Sequence, residues 1–311
     1  MAALQIFIGM LVLVAASGLF VHSLVHIARI LQIKEYLIVF LLLGVATALP
    51  ELFIAASAAK ADFPEIALGN ALGTSIAAMS FVVGIIAVFG RKIDTKNFFQ
   101  SRDLMHLSLS VVLLIILASD GVLSRLDGLL LLIVFVYYIW NLYSYKNHFN
   151  LKVKDSSKSI YLHLAVFIVS GAALYFAAEY AVSSTILMTQ VTALPGFLIA
   201  VVLLAPLGIV PELIIELELQ KSKLSNLTFG DLFTSVVVNT TLIIGLLAIF
   251  NPLVIASPLL LSFSGLVLII ILMLFNFFVR TKESLDWKEG LFLIIVYLFF
   301  IVSNFLVFMS S

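Results

Sequence analysis

Long apolar segments separated by short polar connections run along almost the whole chain. Ten of these segments are long enough to cross a bilayer as α-helices, which takes about 20 apolar residues each. Their approximate bounds are residues 3–27, 36–60, 66–90, 104–119, 128–145, 160–182, 191–218, 229–250, 254–279 and 288–309. The apolar runs are continuous rather than alternating, which argues against membrane-spanning β-strands. The pattern predicts an all-α polytopic membrane protein with ten transmembrane helices.

Composition supports this fold class and narrows the function. Of the 311 residues, 63% are hydrophobic and 11% are charged, and the mean hydropathy is +1.23. A soluble domain does not bury so much apolar surface. The zero net charge suggests no nucleic-acid partner, and the lack of cysteine excludes disulfides and thiolate metal sites. The N-terminal apolar run has no cationic stretch before it and no clear cleavage site, so we interpret it as a retained helix.

Lysine and arginine are distributed unequally between the two sides of the predicted membrane domain. Fifteen of the 17 basic residues fall on one side, and only Lys60 and Arg125 fall on the other. Because basic residues concentrate in cytoplasmic loops, both termini should be extracytoplasmic. The longest polar connection, residues 146–159, is then a cytoplasmic linker between a first half, residues 1–145, and a second half, residues 160–311. We expect a multi-pass protein of the plasma (cytoplasmic) membrane, with the lipid bilayer as its environment.

Two stretches of the chain, residues 44–84 and 205–245, repeat the same polar pattern at a constant offset and without a gap. In each, a Pro-Glu pair interrupts an apolar helix, and an Asn or Asp preceded by glycine follows the glutamate at the same spacing. The matching pairs are Pro50-Glu51 with Pro211-Glu212, and Gly69-Asn70 with Gly230-Asp231. Because each half holds five helices, equivalent helices should run in opposite directions. Such an inverted repeat is typical of a transporter binding site at the bilayer midplane.

The polar groups of the two repeats supply only oxygen ligands. Glu51 and Glu212 lie in membrane-length apolar segments, where a carboxylate is costly and indicates function. Each proline also disturbs the backbone carbonyl one turn earlier. With Asn70, Asp231 and the Thr47 hydroxyl, these groups suit a hard cation such as calcium, whereas transition metals favour His or Cys. Without a cation, at least one carboxylate should hold a proton.

At these residues the chain resembles the cation/calcium exchanger superfamily, which includes the sodium/calcium exchangers. The first copy, TALPE followed by ALGNALGTS, is similar to the family's TSLPE and GN-x-x-GSN motifs. The second copy, GIVPE followed by FGDLFTSVVVN, is a more divergent version. The resemblance implies antiport by alternating access, with calcium and monovalent counter-ions as partners and no cofactor. Neither an enzyme's nucleophile–base pair nor a cofactor motif is visible.

The resemblance also implies a set of ligands. Glu51 and Glu212 would be the central metal ligands, with Asn70 and Asp231 completing the site. Flanking monovalent sites would use the Thr47 hydroxyl and the backbone carbonyls of Gly44 and Ala205. Three further hydroxyls belong to the predicted set: Thr74, Ser75 and Ser235.

The chain departs from the family pattern at hydroxyl positions. Where the family usually has Thr-Ser before Leu-Pro-Glu, this chain has Thr47-Ala48 and Gly208-Ile209, so three of the four hydroxyls are absent. The carboxylates expected to bind calcium are kept, while the hydroxyls expected to bind sodium are reduced. We predict a secondary active antiporter that exchanges calcium for sodium. A proton-coupled divalent-cation antiporter, a channel and a non-transporting membrane scaffold remain as alternatives.

Several other polar residues have competing interpretations. The two repeat glutamates could be structural acids hydrogen-bonded between helices, and Asp231 could be an N-terminal helix cap. Glu216, one turn beyond Glu212, could lead ions towards the cytoplasm, but we favour a solvated helix end that it shares with Glu218. Glu179 has the non-acidic Gly18 as its counterpart in the first half, so we interpret it as interfacial. The histidines are expected at helix ends or in packing contacts.

Overall fold

The computed structural model describes residues 2–30, 48–90, 92–94, 101–144, 160–221, 225–282 and 284–310. Helices dominate these ranges. In chain order they are α1 Ala2–Ile30, α2 Leu49–Lys60, α3 Pro64–Gly90, α4 Ser101–Leu117, α5 Arg125–Ser144, α6 Ile160–Thr192, α7 from Gly196 to Gly208, α8 Val210–Lys221, α9 from Ser225 to Phe250, α10 Pro258–Lys282 and α11 Trp287–Ser310. Four short strands accompany them: β1 Lys92–Asp94, β2 Val122–Leu123, β3 Leu253–Val254 and β4 Ser284–Asp286.

Seven helical spans within the described ranges are long and apolar enough to cross a membrane. They are Ala2–Leu24, Pro64–Gly90, Ile160–Thr192, Gly196–Leu217, Phe229–Phe250, Pro258–Arg280 and Trp287–Met309. Helix α4 adds a shorter apolar stretch, Met105–Leu117. The prediction of an all-α, multi-pass protein is therefore confirmed. The first part of the second predicted segment, residues 36–47, and the predicted linker, residues 146–159, lie outside the described residues.

The helices that carry the second motif of each repeat share an unusual local feature. Helix α3 contains a π-helical segment at Ala78–Val82, and α9 contains one at Val238–Ile243, at almost the same offset as the sequence repeat. Helix α7 contains a third, at Ala200–Leu204. Short π-helical segments inside α-helices occur frequently at functional sites. Here they lie in α3 and α9, which carry Asn70 and Asp231, and in α7, which ends just before the helix that carries Glu212.

Two short antiparallel ribbons join the halves at opposite ends of the helix bundle. Strand β1 pairs with β4, and β2 pairs with β3, so each ribbon takes one strand from each half. Helix α10, of 25 residues, runs from one ribbon to the other and separates them by about 37 Å. Helix α3 ends beside β1, whereas α9 ends beside β3. The two repeat helices therefore run in opposite directions.

Glycine pairs allow close packing between the halves. A Cβ atom added at Gly84 of α3 would lie 2.6 Å from the carbonyl oxygen of Gly290 in α11. One added at Gly128 of α5 would lie 2.7 Å from the carbonyl oxygen of Gly245 in α9. Gly84 and Gly245 are equivalent positions of the two repeats, so the last helix of each half packs against the repeat helix of the other. Small residues permit this close approach in membrane proteins, where apolar lipid removes the usual hydrophobic drive.

The first repeat also contacts the second half directly, beside its polar residues. A Cβ atom at Gly69 would lie 2.5 Å from the carbonyl oxygen of Phe197, and one at Gly73 would lie 2.6 Å from the Cβ of Ala205. At Gly69, helix α3 therefore packs directly against the backbone of α7. This contact brings the polar groups of the two repeats into one region of the bundle core.

Candidate cation-binding site

The two repeat glutamates lie at matching helix starts. Glu51 is in the first turn of α2, just after Pro50, and Glu212 is in the first turn of α8, just after Pro211. Proline fits a first turn because the amide hydrogen that it lacks has no partner there. In the second half the interruption is visible as a turn at Ile209, between α7 and α8. Both carboxyl groups are buried, with each glutamate 6% exposed.

The structure brings these two glutamates together in the bundle interior. Glu212 is close enough to Glu51 for their charges to interact. A Cβ atom added at Gly208 would lie 3.5 Å from Oε1 of Glu51 and 3.6 Å from Cγ2 of Thr74. Glu51 therefore lies against the helix interruption of the opposite half. Neither glutamate points to the apolar exterior.

Several buried oxygen atoms in this region have no hydrogen-bond donor. Within the described residues these include Oε2 of Glu51, Oε1 of Glu212 and Oδ1 of Asn70. Buried polar atoms nearly always have a partner, so each exception calls for an explanation. A group of orphaned acceptors that includes carboxylates is best explained by a bound cation, which supplies positive charge to several oxygens at once. The same observation argues against purely structural glutamates hydrogen-bonded between helices.

Carboxylates alone do not complete this site. Across the ranges that the structure describes, no three His, Asp or Glu side chains are gathered closely enough to hold a metal ion. A cation held between Glu51 and Glu212 would therefore also need amide, hydroxyl and backbone carbonyl oxygens. Calcium accepts such mixed oxygen ligands.

The predicted hydroxyl ligands differ in what they contact. The hydroxyl of Ser235 lies close enough to the carboxyl group of Glu212 to interact with it. Thr74 donates to the backbone carbonyl of Asn70 at 2.9 Å, and Ser75 donates to the backbone carbonyl of Ala71 at 2.7 Å. Ser235 is thus the predicted hydroxyl nearest to Glu212 along this side of the site. Thr74 lies nearby, since its methyl group neighbours Gly208 beside Glu51.

The remaining predicted ligands are distributed as follows. The backbone carbonyl of Ala205 accepts a hydrogen bond from the amide of Ile209 at 3.1 Å and keeps a second lone pair. Asp231 is buried in α9. Because α9 begins at Ser225, Asp231 lies in its second turn, and the interpretation of Asp231 as a helix cap is wrong. Gly44 and Thr47 lie outside the described residues.

Asn239 is a buried polar residue beside the site that sequence reasoning missed. It is 0% exposed, and its Nδ2 donates to the hydroxyl of Thr74 at 3.0 Å, which links α9 to α3. Its Oδ1 has no hydrogen-bond donor. Asn239 lies one helical turn after Ser235, on the same helix face. In the sequence, Asn239 is visible as a single amide side chain in an apolar span. Its counterpart in the first repeat is Ala78, so the comparison of the two repeats did not select it.

Glu216 also departs from its predicted role. It is 0% exposed and close enough to Glu212 for their charges to interact, so the solvated helix end that we favoured is wrong for this residue. The buried Glu216 has a hydrogen bond or an electrostatic contact with a neighbouring group. The side chain of Glu218 is not among those that the structure describes.

Polar residues away from the site have structural roles. Lys60, at the end of α2, forms an ion pair with Glu179 of α6 at 2.9 Å and a hydrogen bond with the hydroxyl of Tyr175 at 2.8 Å. The side chains of Lys60 and Glu179 are 61% and 42% exposed, which agrees with an interfacial Glu179. His26 of α1 and His163 of α6 stack with ring centroids 4.5 Å apart, as expected for packing residues.

Comparisons with known proteins agree with this fold and these motifs. A sequence model of the family described as "Sodium/calcium exchanger protein" matches residues 1–144 and 162–306. The chain is 25% identical over 346 residues to the sodium/calcium exchanger MaX1 of Methanosarcina acetivorans, covering 96% of this chain and 97% of that protein.

Two solved structures are similar in fold. The crystal structure of the H⁺/Ca²⁺ exchanger CAX superposes with a TM-score of 0.75 at 17% identity, covering 99% of this chain and 88% of that chain. A structure of the sodium-calcium exchanger NCX_Mj superposes with a TM-score of 0.65 at 23% identity, covering 97% of this chain and 99% of that chain. The predicted family resemblance is confirmed, because the family match covers nearly all of both halves. The chain is a multi-pass integral membrane protein that belongs to the sodium/calcium exchanger family.

Proposed function

We propose that the protein is a secondary active cation antiporter that exchanges calcium for sodium by alternating access. The observation that carries this proposal is the meeting of Glu51 and Glu212. One acid comes from each half, both are buried, they interact electrostatically, and each has an oxygen without a hydrogen-bond donor. Together they carry two negative charges, which one calcium ion or two monovalent cations can neutralise. The two kinds of ion would therefore compete for one site.

We infer that the chain crosses the membrane ten times, as two inverted five-helix halves with both termini extracytoplasmic. Three observations support this arrangement. Helices α3 and α9 run in opposite directions, each strand ribbon takes one strand from each half, and fifteen of the 17 basic residues fall on one predicted side. The separate family matches, residues 1–144 and 162–306, support the division into halves.

The ligand set that we propose combines both repeats. Glu51 and Glu212 are its centre, and the Ser235 hydroxyl and Asn239 Oδ1 join them from α9. Asn239 is added because its buried oxygen has no donor and its amide bonds to Thr74. The further predicted ligands remain Asn70, Asp231, Thr74, Ser75, the Thr47 hydroxyl and the carbonyls of Gly44 and Ala205.

Alternating access requires one part of the bundle to move against another. Helices α1 and α6 pack along each other, and a Cβ atom at Gly9 would lie 3.2 Å from the Cβ of Ala181. We propose that this pair moves as a unit across the core formed by α2, α3, α7, α8 and α9. The core carries the ligands, so the movement changes which side of the membrane reaches the bound ion.

A proton-coupled calcium antiporter is the second candidate. It is favoured by Gly208, which lies beside Glu51 and has no hydroxyl to offer a sodium ion. Protons bind to carboxylates without needing hydroxyl ligands, and buried carboxylate pairs share protons readily. The two candidates differ only in the ion that drives calcium movement.

Calcium uptake into proteoliposomes distinguishes the two candidates. Radiolabelled calcium is offered outside vesicles that carry an outward sodium gradient, an outward proton gradient of equal size, or a potassium gradient as control. Sodium-driven uptake is the expected result. Uptake driven only by the proton gradient would establish the second candidate, and uptake under no gradient would contradict antiport.

Replacing Asn239 by Leu should weaken calcium binding without unfolding the protein. The substitution removes both the candidate ligand oxygen and the hydrogen bond to Thr74, and we expect about a tenfold rise in half-saturating calcium, equivalent to roughly 1.4 kcal/mol. Asn239→Asp keeps the oxygen, loses the amide donor to Thr74 and adds a negative charge, so it should retain or raise the calcium affinity. Equal calcium affinity in Asn239→Leu and the wild type would remove Asn239 from the ligand set.

Replacing Gly208 by Ser should increase the contribution of sodium. The added Cβ would be in ordinary contact with Glu51, 3.5 Å from its Oε1, so the side chain fits and supplies a hydroxyl beside the carboxylate. We expect the half-saturating sodium concentration for calcium exchange to fall by about threefold, the effect of one modest hydrogen-bonding group. Gly18→Ser is the control, since a Cβ there meets nothing within 4 Å. A fall in both variants would show a non-specific effect.

A further inference from the structure

Glu216 is a buried acid that the paired-glutamate mechanism does not use. It lies one helical turn after Glu212 in α8, so both side chains project from the same face of the helix. Glu216 is completely buried, and its charge acts on Glu212. An acid buried at this depth of a membrane protein is costly and marks a functional position by default.

The position is acidic in only one half of the protein. The counterpart of Glu216 in the first repeat is Ala55 in α2, which is also buried. The bundle symmetry therefore explains Glu51 and Glu212 but not Glu216. The second half contributes an additional carboxyl group to the neighbourhood of the pair.

An independent observation indicates that this neighbourhood receives a cation. Oε2 of Glu51 and Oε1 of Glu212 are buried and have no hydrogen-bond donor. The oxygens belong to residues that are only 6% exposed, and they lie in the region where Glu212 interacts with both Glu51 and Glu216. A bound cation would coordinate these oxygens and would also neutralise the negative charge of the acids.

We propose that Glu216 is a specificity-determining residue, whose carboxylate makes the Glu51–Glu212 site prefer divalent over monovalent cations. The inference rests on the proposed function and deepens it. Coulomb attraction is proportional to the charge of the bound ion, so one additional nearby carboxylate stabilises a divalent cation twice as much as a monovalent one. The number of charged ligands is also how calcium sites adjust their affinity.

Neutralising Glu216 should lower the affinity for calcium more than the affinity for sodium. For Glu216→Gln we expect the apparent dissociation constant to rise about tenfold for calcium and about threefold for sodium. The lost binding free energy is proportional to the charge of the ion, so it is twice as large for calcium. The fold-change for calcium is therefore the square of that for sodium. The measurement is equilibrium binding of radiolabelled calcium to the purified full chain, with displacement by sodium. This assay needs no transport.

Three controls make the comparison specific. Glu179→Gln removes an acid that lies at the surface in an ion pair with Lys60, and it should leave both constants unchanged. Glu216→Asp keeps the charge and should retain most of the divalent preference, so it tests the proposal even where the glutamine variant folds poorly. Size-exclusion chromatography reports whether each variant is folded.

The outcomes separate this inference from the proposed function. A selective loss of calcium affinity in Glu216→Gln, restored in Glu216→Asp, supports the role of Glu216. Equal changes in both constants, or no change, overturn it while leaving the antiporter proposal intact. Wild-type protein that binds no calcium overturns both proposals.

Discussion

Replacing Glu51 by Gln, or Glu212 by Gln, should abolish calcium exchange. Each substitution keeps the size of the side chain but removes one of the two charges that face the proposed ion. Removing one partner of a buried charge interaction costs roughly 3–5 kcal/mol, which corresponds to about a 100-fold or larger loss of affinity. Initial rates of radiolabelled calcium uptake in proteoliposomes measure the effect.

The matched control for these variants is Glu179→Gln. Glu179 has the same side chain but lies at the surface, paired with Lys60. Its neutralisation should change uptake by less than about threefold, because exposed ion pairs contribute little. If the Glu51→Gln/Glu212→Gln double variant still exchanged calcium, the ion site would lie elsewhere or the protein would be a scaffold.

Helix positions could be predicted better than helix ends. The second-half segment predicted at residues 160–182 extends to Thr192 in the structure. The predicted end lies just before the polar residues Ser184 and Thr185, whose hydroxyls bond to the carbonyls of Tyr180 and Ala181 at 2.7 and 2.8 Å. A hydroxyl satisfied within its own helix does not terminate that helix. The next helix begins only after the turn at Ala193, where φ is 55°.

The seventh predicted segment, residues 191–218, agrees with the helical span Gly196–Leu217. Pro211 was expected to disturb this span one turn earlier. The structure has a turn at Ile209, between Gly208 and Val210, so the proline lies in the first turn of α8, where it is tolerated. Hydropathy alone does not register such a local interruption, whereas the proline indicates it.

Symmetry determined which site residues could be found from the sequence. Glu51 and Glu212 are identical and equivalent, so the repeat comparison selected both. Asn239 has Ala78 as its counterpart, so the same comparison did not select it. Glu216, whose counterpart is Ala55, was considered but interpreted as part of a solvated helix end. The burial of both residues, and the contact of Asn239 with Thr74, depend on helix packing, which a single sequence does not specify.

The ribbons and glycine contacts could not be predicted for a related reason. Strands of two or three residues carry no periodic pattern, and their pairing across the halves depends on where long helices end. The glycines of α3 are visible in the sequence as small residues. Their partners, such as Phe197 and Gly290, became apparent only from the assembled bundle.

Replacing Gly69 by Ala should destabilise the protein despite the small size of the added methyl group. A Cβ at this position would lie 2.5 Å from the carbonyl oxygen of Phe197 and 3.0 Å from its Cα. Both atoms belong to the backbone of α7, so no side-chain rotation relieves the clash. Helices α3 and α7 would have to separate, at a cost of about 1–3 kcal/mol for overpacking. Thermal unfolding of the detergent-purified protein measures it, as a fall of several degrees in melting temperature.

Gly18→Ala is the control because it makes the same chemical change in α1, where a Cβ meets nothing within 4 Å. Alanine is a better helix former than glycine by up to about 1 kcal/mol, so this variant should be neutral or slightly stabilised. The two substitutions therefore have effects of opposite sign if the α3–α7 contact holds the halves together. A melting temperature for Gly69→Ala at or above that of Gly18→Ala would show that the halves tolerate separation there. Because Gly69 precedes Asn70 beside the proposed site, calcium affinity should fall together with stability in Gly69→Ala.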